Sequence, residues 1–392
     1  LEDSEIAEGT EYAKEETESM DEARLIDVLK YDTEVDPDYI PDGFDSVESF
    51  LRDMREVYEA DLAADDDNRT EALSDKRFAV GEQWDPEVLR QRKGLPNLVI
   101  NSIPQFTAQL VGDWREDRRS VKVLPGEDGD ADVASTRGDL IRSIEMNCRA
   151  NRIYDSAFES AVTCGDGAFR VCVEYANEDV FDQDIKIKPI DDALSVLWDR
   201  MSLDPTGRDA NHVFVDDYLP TNEYERKWKD EDPSTLRDMS SSVSYQGWCD
   251  DKTVRVTEYW RMIERDRLIA LFNDGFMSEI SDETIDQLVE SHGMPVRTRL
   301  APVRYAQMHL VTGWKILAGP FEYRLNRLPI IRMTGRVMNV DGRRVRYGLV
   351  RFMKDPARLR NFWRSVNAEQ LGYAPKAQWI ATESAVSGYE EA

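Results

Sequence analysis

Val47, Phe50, Leu51, Met54, Val57 and Tyr58 recur at three- and four-residue steps, behind an Asp45 and Glu48 that have the spacing of a capping box. The pattern predicts an amphipathic helix over roughly 45 to 63, and the run Asp65-Asp66-Asp67 predicts a solvated loop at its end. Ile103, Phe106, Leu110 and Trp114 place one face on a second helix starting near Ser102, which leads into a short predicted strand, Ser120 to Leu124, stopped by Pro125. Two further helices are expected near 131–147 (Val133, Leu140, Ile141, Ile144) and 152–163 (Tyr154, Phe158, Ala161, Val162).

The period then changes from helical to alternating. Phe169 to Tyr175, Ile185 to Ile190, Val213 to Tyr218 and Val254 to Trp260 read as strands separated by Asp, Asn, Pro and Gly turns. Ser281 is placed to cap a short helix with Asp282 and Glu283 in its first turn and Ile285, Leu288 and Val289 on its apolar face; Gly293 and Pro295 end it. Strand-like segments follow at 303–311 and 328–334. From Arg346 a helical pattern returns through Leu349, Met353, Pro356, Leu359, Trp363, Val366 and Gln370. There Asp355-Pro356 either kinks the helix or starts a new one. The fold class is α+β, and the order helix, small β module, helix predicts a projecting hairpin with a domain at its tip.

Charge divides the chain differently. Residues 1–67 carry 25 Asp and Glu against 5 Lys and Arg, whereas residues 297–364 carry 16 Lys and Arg against 3 acidic groups, in a chain of net charge −28. A local cationic surface of this kind meets a polyanion or an acidic protein face. From Glu2 to Asp38 apolar residues are sparse, which predicts an arm that orders on a partner. No run of about 18 uncharged apolar residues exists, so the sequence supports no transmembrane helix. The acidic N-terminus is unlike a secretory signal. Cys148, Cys164, Cys172 and Cys249 lack CxxC spacing and read as reduced thiols, with neither a zinc site nor any other cofactor indicated.

No P-loop, HExxH or GxSxG signature is found, and His212, His292 and His309 are widely spaced. Gly165-Asp166-Gly167 reads as a tight turn in preference to a phosphate loop. Asp199, Asp204, Asp209, Asp216 and Asp217 fall in a turn-rich segment whose spacing misses the EF-hand pattern. Arg351, Lys354 and Arg358 share a helical face, suited to salt bridges between subunits or to phosphate.

Particular residues then resemble a family. Arg77-Phe78 through Gly81-Glu82-Gln83-Trp84, Leu95-Pro96-Asn97 with Asn101, Arg118 to Pro125, Asp155 to Phe158, Gly165-Asp166-Gly167 running into Arg170-Val171, and Glu258-Tyr259-Trp260 are similar to phage portal proteins. So is Tyr347-Gly348-Leu349-Val350-Arg351-Phe352-Met353-Lys354-Asp355, followed by Arg358 to Asn361 and Ser365 to Glu369. These are the head-to-tail connectors of tailed double-stranded DNA bacteriophages, and the type resembled is that of lambdoid short-tailed phages.

The resemblance implies a ring of about twelve subunits at one capsid vertex of the virion, assembled in the host bacterial cytoplasm and acting as a conduit for double-stranded DNA. It implies docking of the terminase large subunit and a head-completion or tail adaptor protein, contacts with major capsid and scaffolding proteins, and no enzymatic activity. The expected division is an acidic N-terminal arm and helix (1–67), an α+β wing (68–280), a first stem helix (281–293), a small α/β clip (294–345), a second stem helix (346–372) and a return toward the wing or a channel loop (373–392). Residues beyond Ala392 would supply the rest of the wing and the crown, making the chain part of a longer protein. Arg343, Arg344 and Arg346 at the clip-to-stem junction are the DNA-channel candidates. Leu349, Arg351, Met353, Lys354, Arg358, Leu359 and Trp363 are expected to pack between subunits. The alternatives are a metal-dependent nuclease using the aspartates of 199–217, or an acidic capsid assembly factor acting through residues 1–67.

Overall fold

Ser46, rather than Asp45, caps the first helix: its hydroxyl accepts from the Ser49 amide while Ser49 reciprocates. The computed structural model describes residues 39–373 except 119, 127–129, 178–179, 229–246, 251 and 281–284. Helix α1 spans Val47–Val80 and ends at Gly81, whose positive φ of 118° closes the last turn. It therefore runs straight through Asp65-Asp66-Asp67, where the sequence predicts a loop. The reason is that acids of α1 meet cations from distant segments: Asp65 meets Arg346, and Asp75 meets Arg351 and Lys354.

Four helices follow: α2 (Pro86–Gln91), which the sequence reading missed, α3 (Ile103–Glu116), α4 (Ala131–Asn147) and α5 (Ala150–Cys164). The strand expected at 120–124 does not form, and that stretch has no regular structure.

Strands β1 (Asp166–Tyr175), β2 (Gln183–Pro189), β3 (Val196–Trp198) and β4 (His212–Pro220) precede the short α6 (Thr221–Lys227). Then come β5 (Thr253–Phe272), β6 (Met277–Ile280), α7 (Ile285–His292), β7 (Pro295–Val311), β8 (Ile316–Tyr323) and β9 (Ile330–Thr334). The described chain closes with β10 (Arg336–Val340), β11 (Arg343–Tyr347) and α8 (Val350–Tyr373).

A six-stranded sheet has the order β3-β4-β5-β7-β8 with β6 on the free flank of β5; β2-β1-β9 form a second sheet and β10-β11 a hairpin. Alternation sorts the large sheet into two faces. Leu197, Phe214, Tyr259 and Val311 meet Phe50, Met54 and Tyr58 of α1. Trp198, Val213, Val215, Trp260 and Met308 meet Ala168 and Ile330 of the smaller sheet and Leu328 just before β9.

The predicted helical hairpin with a β domain at its tip is not what these residues build. β7 pairs with β5 from Val311↔Thr257 out to Pro295↔Phe272, and β9 pairs with β1, so strands from 294–345 share both sheets with strands from 68–280. What projects is a β-ribbon. β4 stops pairing at Arg261 and β8 at Ala306, leaving the outer halves of β5 and β7 joined only to each other and to β6, with α7 in the connection between β6 and β7. α7 is the described part of the expected first stem helix; its predicted cap, Ser281, lies outside the described residues, as do residues 374–392.

Candidate functional site at the junction of the last strand and helix

The β10-β11 hairpin turns at Asp341 and Gly342, both with positive φ, and sends alternate side chains to opposite faces. Arg346 points toward α1. Arg346 forms paired bonds of 2.6 and 2.7 Å to Asp65 and one of 3.0 Å to Asp166. Asp166 also takes two bonds from Arg332, at 2.9 and 2.6 Å. Burial would raise the Asp166 carboxyl, but the two guanidiniums outweigh it and hold it below its ordinary value. Arg344 donates to the Ser202 carbonyl, and Asn68 clamps the strand backbone at Arg344 and Arg346. Only Arg343 of the three stays in solvent, 81% exposed and 3.1 Å from an equally open Asp67. Of the three DNA-channel candidates, Arg343 is therefore open to solvent, whereas Arg346 is held by Asp65 of the acidic run, which is helical here, and Arg344 by the Ser202 carbonyl.

The junction into α8 passes a crossing of backbones. A Cβ on Gly167 would stand 2.0 Å from the Ala157 carbonyl, and one on Gly348 would stand 2.4 Å from that of Val162. Gly165 caps α5 with φ 91°, and a Cβ there would meet the Tyr347 backbone at 2.7 Å. Gly165-Asp166-Gly167 is thus a tight turn whose aspartate anchors the arginine cluster. Sequence reading found the glycines but not the role of Asp166.

α8 lies against the body through one face. Val350, Ala357 and the half-buried Met353 pack with Phe78 and Ile103. Lys354 reaches Asp75 at 2.6 Å and the Ser74 hydroxyl at 2.8 Å, while Arg351 reaches Asp75 at 3.0 Å. Asp75 is fully buried. Farther along, Asn361 and Ser365 accept from the Ile100 and Leu98 amides at 2.9 Å each, and Arg92 meets Glu369 at 3.2 Å. The helix continues through Pro356, which is exposed, so neither a break nor a new start occurs there.

Of the residues expected between subunits, Arg351, Lys354 and Met353 thus have partners within their own chain. Leu349 is half-buried, its amide bonded to the Val162 carbonyl. Arg358 lies over the Phe78 ring and beside Asp355, half exposed. Leu359 and Trp363 stand in solvent at 50 and 62%, and Phe352 joins them at 62%.

The aspartates weighed for a metal are engaged one by one. Asp199 accepts from the Met201 and Asn211 amides, and Asp209 from Ser202, Leu203 and Asp204. Asp204 accepts from Thr206, and Asp217 from the Tyr218 amide. Asp216 is buried under the Tyr58 and Thr257 hydroxyls, and burial holds its carboxyl above the ordinary range. Asp61, Asp199 and His212 do come together. His212 already bonds Asp61 at 2.6 Å, with the Arg200 guanidinium 3.9 Å from the same carboxylate, an arrangement that disfavours an added cation. Among the described residues, no helix is long and apolar enough to cross a membrane.

The α+β body pairs many of its charged groups within the chain, and α8 is clamped to it on one side while exposing Phe352, Leu359 and Trp363 on the other. The sequence matches the family described as Phage P22-like portal protein over residues 55–392, and the chain belongs to that family. It is similar to the portal protein of Acyrthosiphon pisum secondary endosymbiont phage 1, with 26% identity over 238 residues covering 56% of this chain and 32% of that protein. The chain thus spans about a third of the length of that curated relative.

Proposed function

We propose that the chain serves as a portal subunit of a tailed bacteriophage, closing with its copies into a ring of about twelve at a capsid vertex of the virion. The ring is the conduit through which double-stranded DNA is packaged and later ejected. It docks the terminase large subunit and then a head-completion or tail adaptor protein, meets the major capsid and scaffolding proteins, and is assembled in the host cytoplasm. Membership of the portal family across residues 55–392 carries this reading. In support, α8 leaves Phe352, Leu359 and Trp363 uncovered on the side away from the body, a surface that another copy would bury.

In this reading Leu359, Trp363 and Arg358 meet the neighbour, while Arg351, Lys354 and Met353 hold the helix in place for that contact. Arg343 is the arginine of its group available to DNA. Mass photometry of the full-length protein at micromolar concentration is expected to show closed rings, and a monomer or dimer there overturns the proposal. Leu359→Ser with Trp363→Ser is expected to abolish rings while leaving the circular dichroism spectrum unchanged.

A further inference from the structure

Ser120 to Leu124 alternates as a strand does, with Val121 and Val123 on one side, yet this stretch has no regular structure in the single chain. Val121 and Leu124 are 54 and 70% exposed. A strand-forming segment left unpaired is a conflict between local preference and fold, and a partner strand would resolve it.

The smaller sheet has an unfilled edge. β9 pairs with β1 only from Asp166 to Arg170, and one further rung runs from the Val171 amide to the Pro329 carbonyl. Along an antiparallel strand, successive residues bond alternately to one flank and the other, so Val173 and Tyr175 direct their amides and carbonyls to the same flank as Val171. Residues 324–328 no longer pair there, and neither amide has a backbone partner among the described residues. Beside this edge a cavity of about 280 Å³ opens between the two sheets, lined by Cys172, Trp260, Met308, Tyr323 and Leu328 among others. Arg170 reaches across to Glu258 of β5, so Cys172 and Glu174, on the same side of β1, face the cavity.

The strand-like segment lies on the opposite flank. Arg118, just before it, bonds Asp155 and the Asn151 carbonyl at the start of α5. Cys148, between α4 and α5, takes the Ile187 amide on the outer flank of β2. One copy therefore offers the segment on the β2 flank of its smaller sheet and the open edge on the β9 flank. A contact that joins opposite flanks of successive copies is head-to-tail, the kind that can close into a ring.

We propose that residues 120–124 of one copy add as an antiparallel strand to the β1 edge of the next, an inference that rests on the portal-subunit reading above. Leu124 faces Val173 and Lys122 faces Tyr175, and these two pairs supply the rungs that the edge lacks. Val123 lies opposite Glu174 with its side chain in the cavity. Pro125, which has no amide hydrogen, ends the added strand where Leu328 and Pro329 resume the line.

In an antiparallel pair, facing residues that are not hydrogen-bonded to each other, as Val123 and Glu174 would be, have Cα atoms about 4.5 Å apart, within the reach of a disulfide. Full-length protein carrying Val123→Cys and Glu174→Cys is therefore expected to give a ladder of covalent multimers on a non-reducing gel, and neither single variant should. In the native protein, hydrogen exchange at single-residue resolution should show the Val173 and Tyr175 amides slowed about tenfold in rings relative to dissociated subunits, the effect of one hydrogen bond. Rings that show neither the ladder nor the slowing overturn this proposal and leave the portal reading standing, whereas the absence of rings overturns both. A disulfide formed within a monomer also overturns it, since residues 120–124 would then lie on the edge of their own chain.

Discussion

His309 illustrates how a single buried group sets a response to acid. The ring is fully buried between Tyr39 and Phe50, and burial, with the positive charge of Arg261 beside it, pushes its pKa from 6.5 down to about 3. Between those values the unfolded chain binds the proton and the folded chain does not. The stabilisation is complete above pH 6.5 and is lost as pH falls toward 3, a difference on the order of 4 kcal/mol for a shift of this size. Calorimetric unfolding temperatures are expected to drop more steeply between pH 6.5 and 4.5 in the wild type than in His309→Gln, whose amide does not titrate. Parallel slopes would show that another group governs the response. Asp75 is the opposite kind of residue, a buried charge already paired by Arg351 and Lys354, where removing the carboxylate strands two cations at a cost of about 3–5 kcal/mol.

At the scale of elements, the glycine crossing and the helices divide what substitution does. Gly167→Ala puts a methyl 2.0 Å from the Ala157 carbonyl, so α5 and β1 must separate. A loss of roughly 4 kcal/mol or more is expected, among the largest for a single methyl. Gly112→Ala in α3 meets nothing within 4 Å and should stabilise by about 0.5–1 kcal/mol. Chemical denaturation of the two variants beside the wild type checks both signs. The helical period gave α3, α4 and α5 nearly to the residue, and alternation gave β1, β2, β4 and the inner halves of β5 and β7. What was not legible depended on contacts far apart in sequence. Asp65-Asp66-Asp67 reads as a loop until Arg346, some 280 residues later, supplies the countercharge. The candidate site divides in the same way. The spacing that puts Arg351, Lys354 and Arg358 on one helix face is visible in sequence, but that the first two meet Asp75 is not. The outer residues Leu359 and Trp363 stayed exposed because Asn361 and Ser365 took the side facing the body.

For the whole molecule, the sharing of sheets decides how partner docking can be examined. Excising residues 300–340 would remove most of β7 and all of β8 and β9, and with them the packing of both sheets. Surface exchange is the suitable instrument. Charge reversal of Arg343, the exposed arginine of the junction, is expected to leave the unfolding temperature within about a degree, since an exposed pair contributes 0–1 kcal/mol. It should weaken retention of duplex DNA in purified rings in a salt-dependent way. Reversal of Arg346 should instead unfold the junction, because that guanidinium is enclosed by two carboxylates.

The long strand β5 has a mechanical consequence. Its inner half is zipped on both flanks, by β4 and β7, whereas its outer half is the spine of the ribbon. A pull along the ribbon axis loads all the rungs between β5 and its neighbours at once, in shear, while a sideways push at the tip meets only the bending stiffness of a two- to three-stranded ribbon. The ribbon should therefore behave as a spring leaf clamped at one end, compliant sideways and stiff lengthwise. Its clamp lies against α1, where the Tyr259 ring is stacked on Phe214 with centroids 4.6 Å apart.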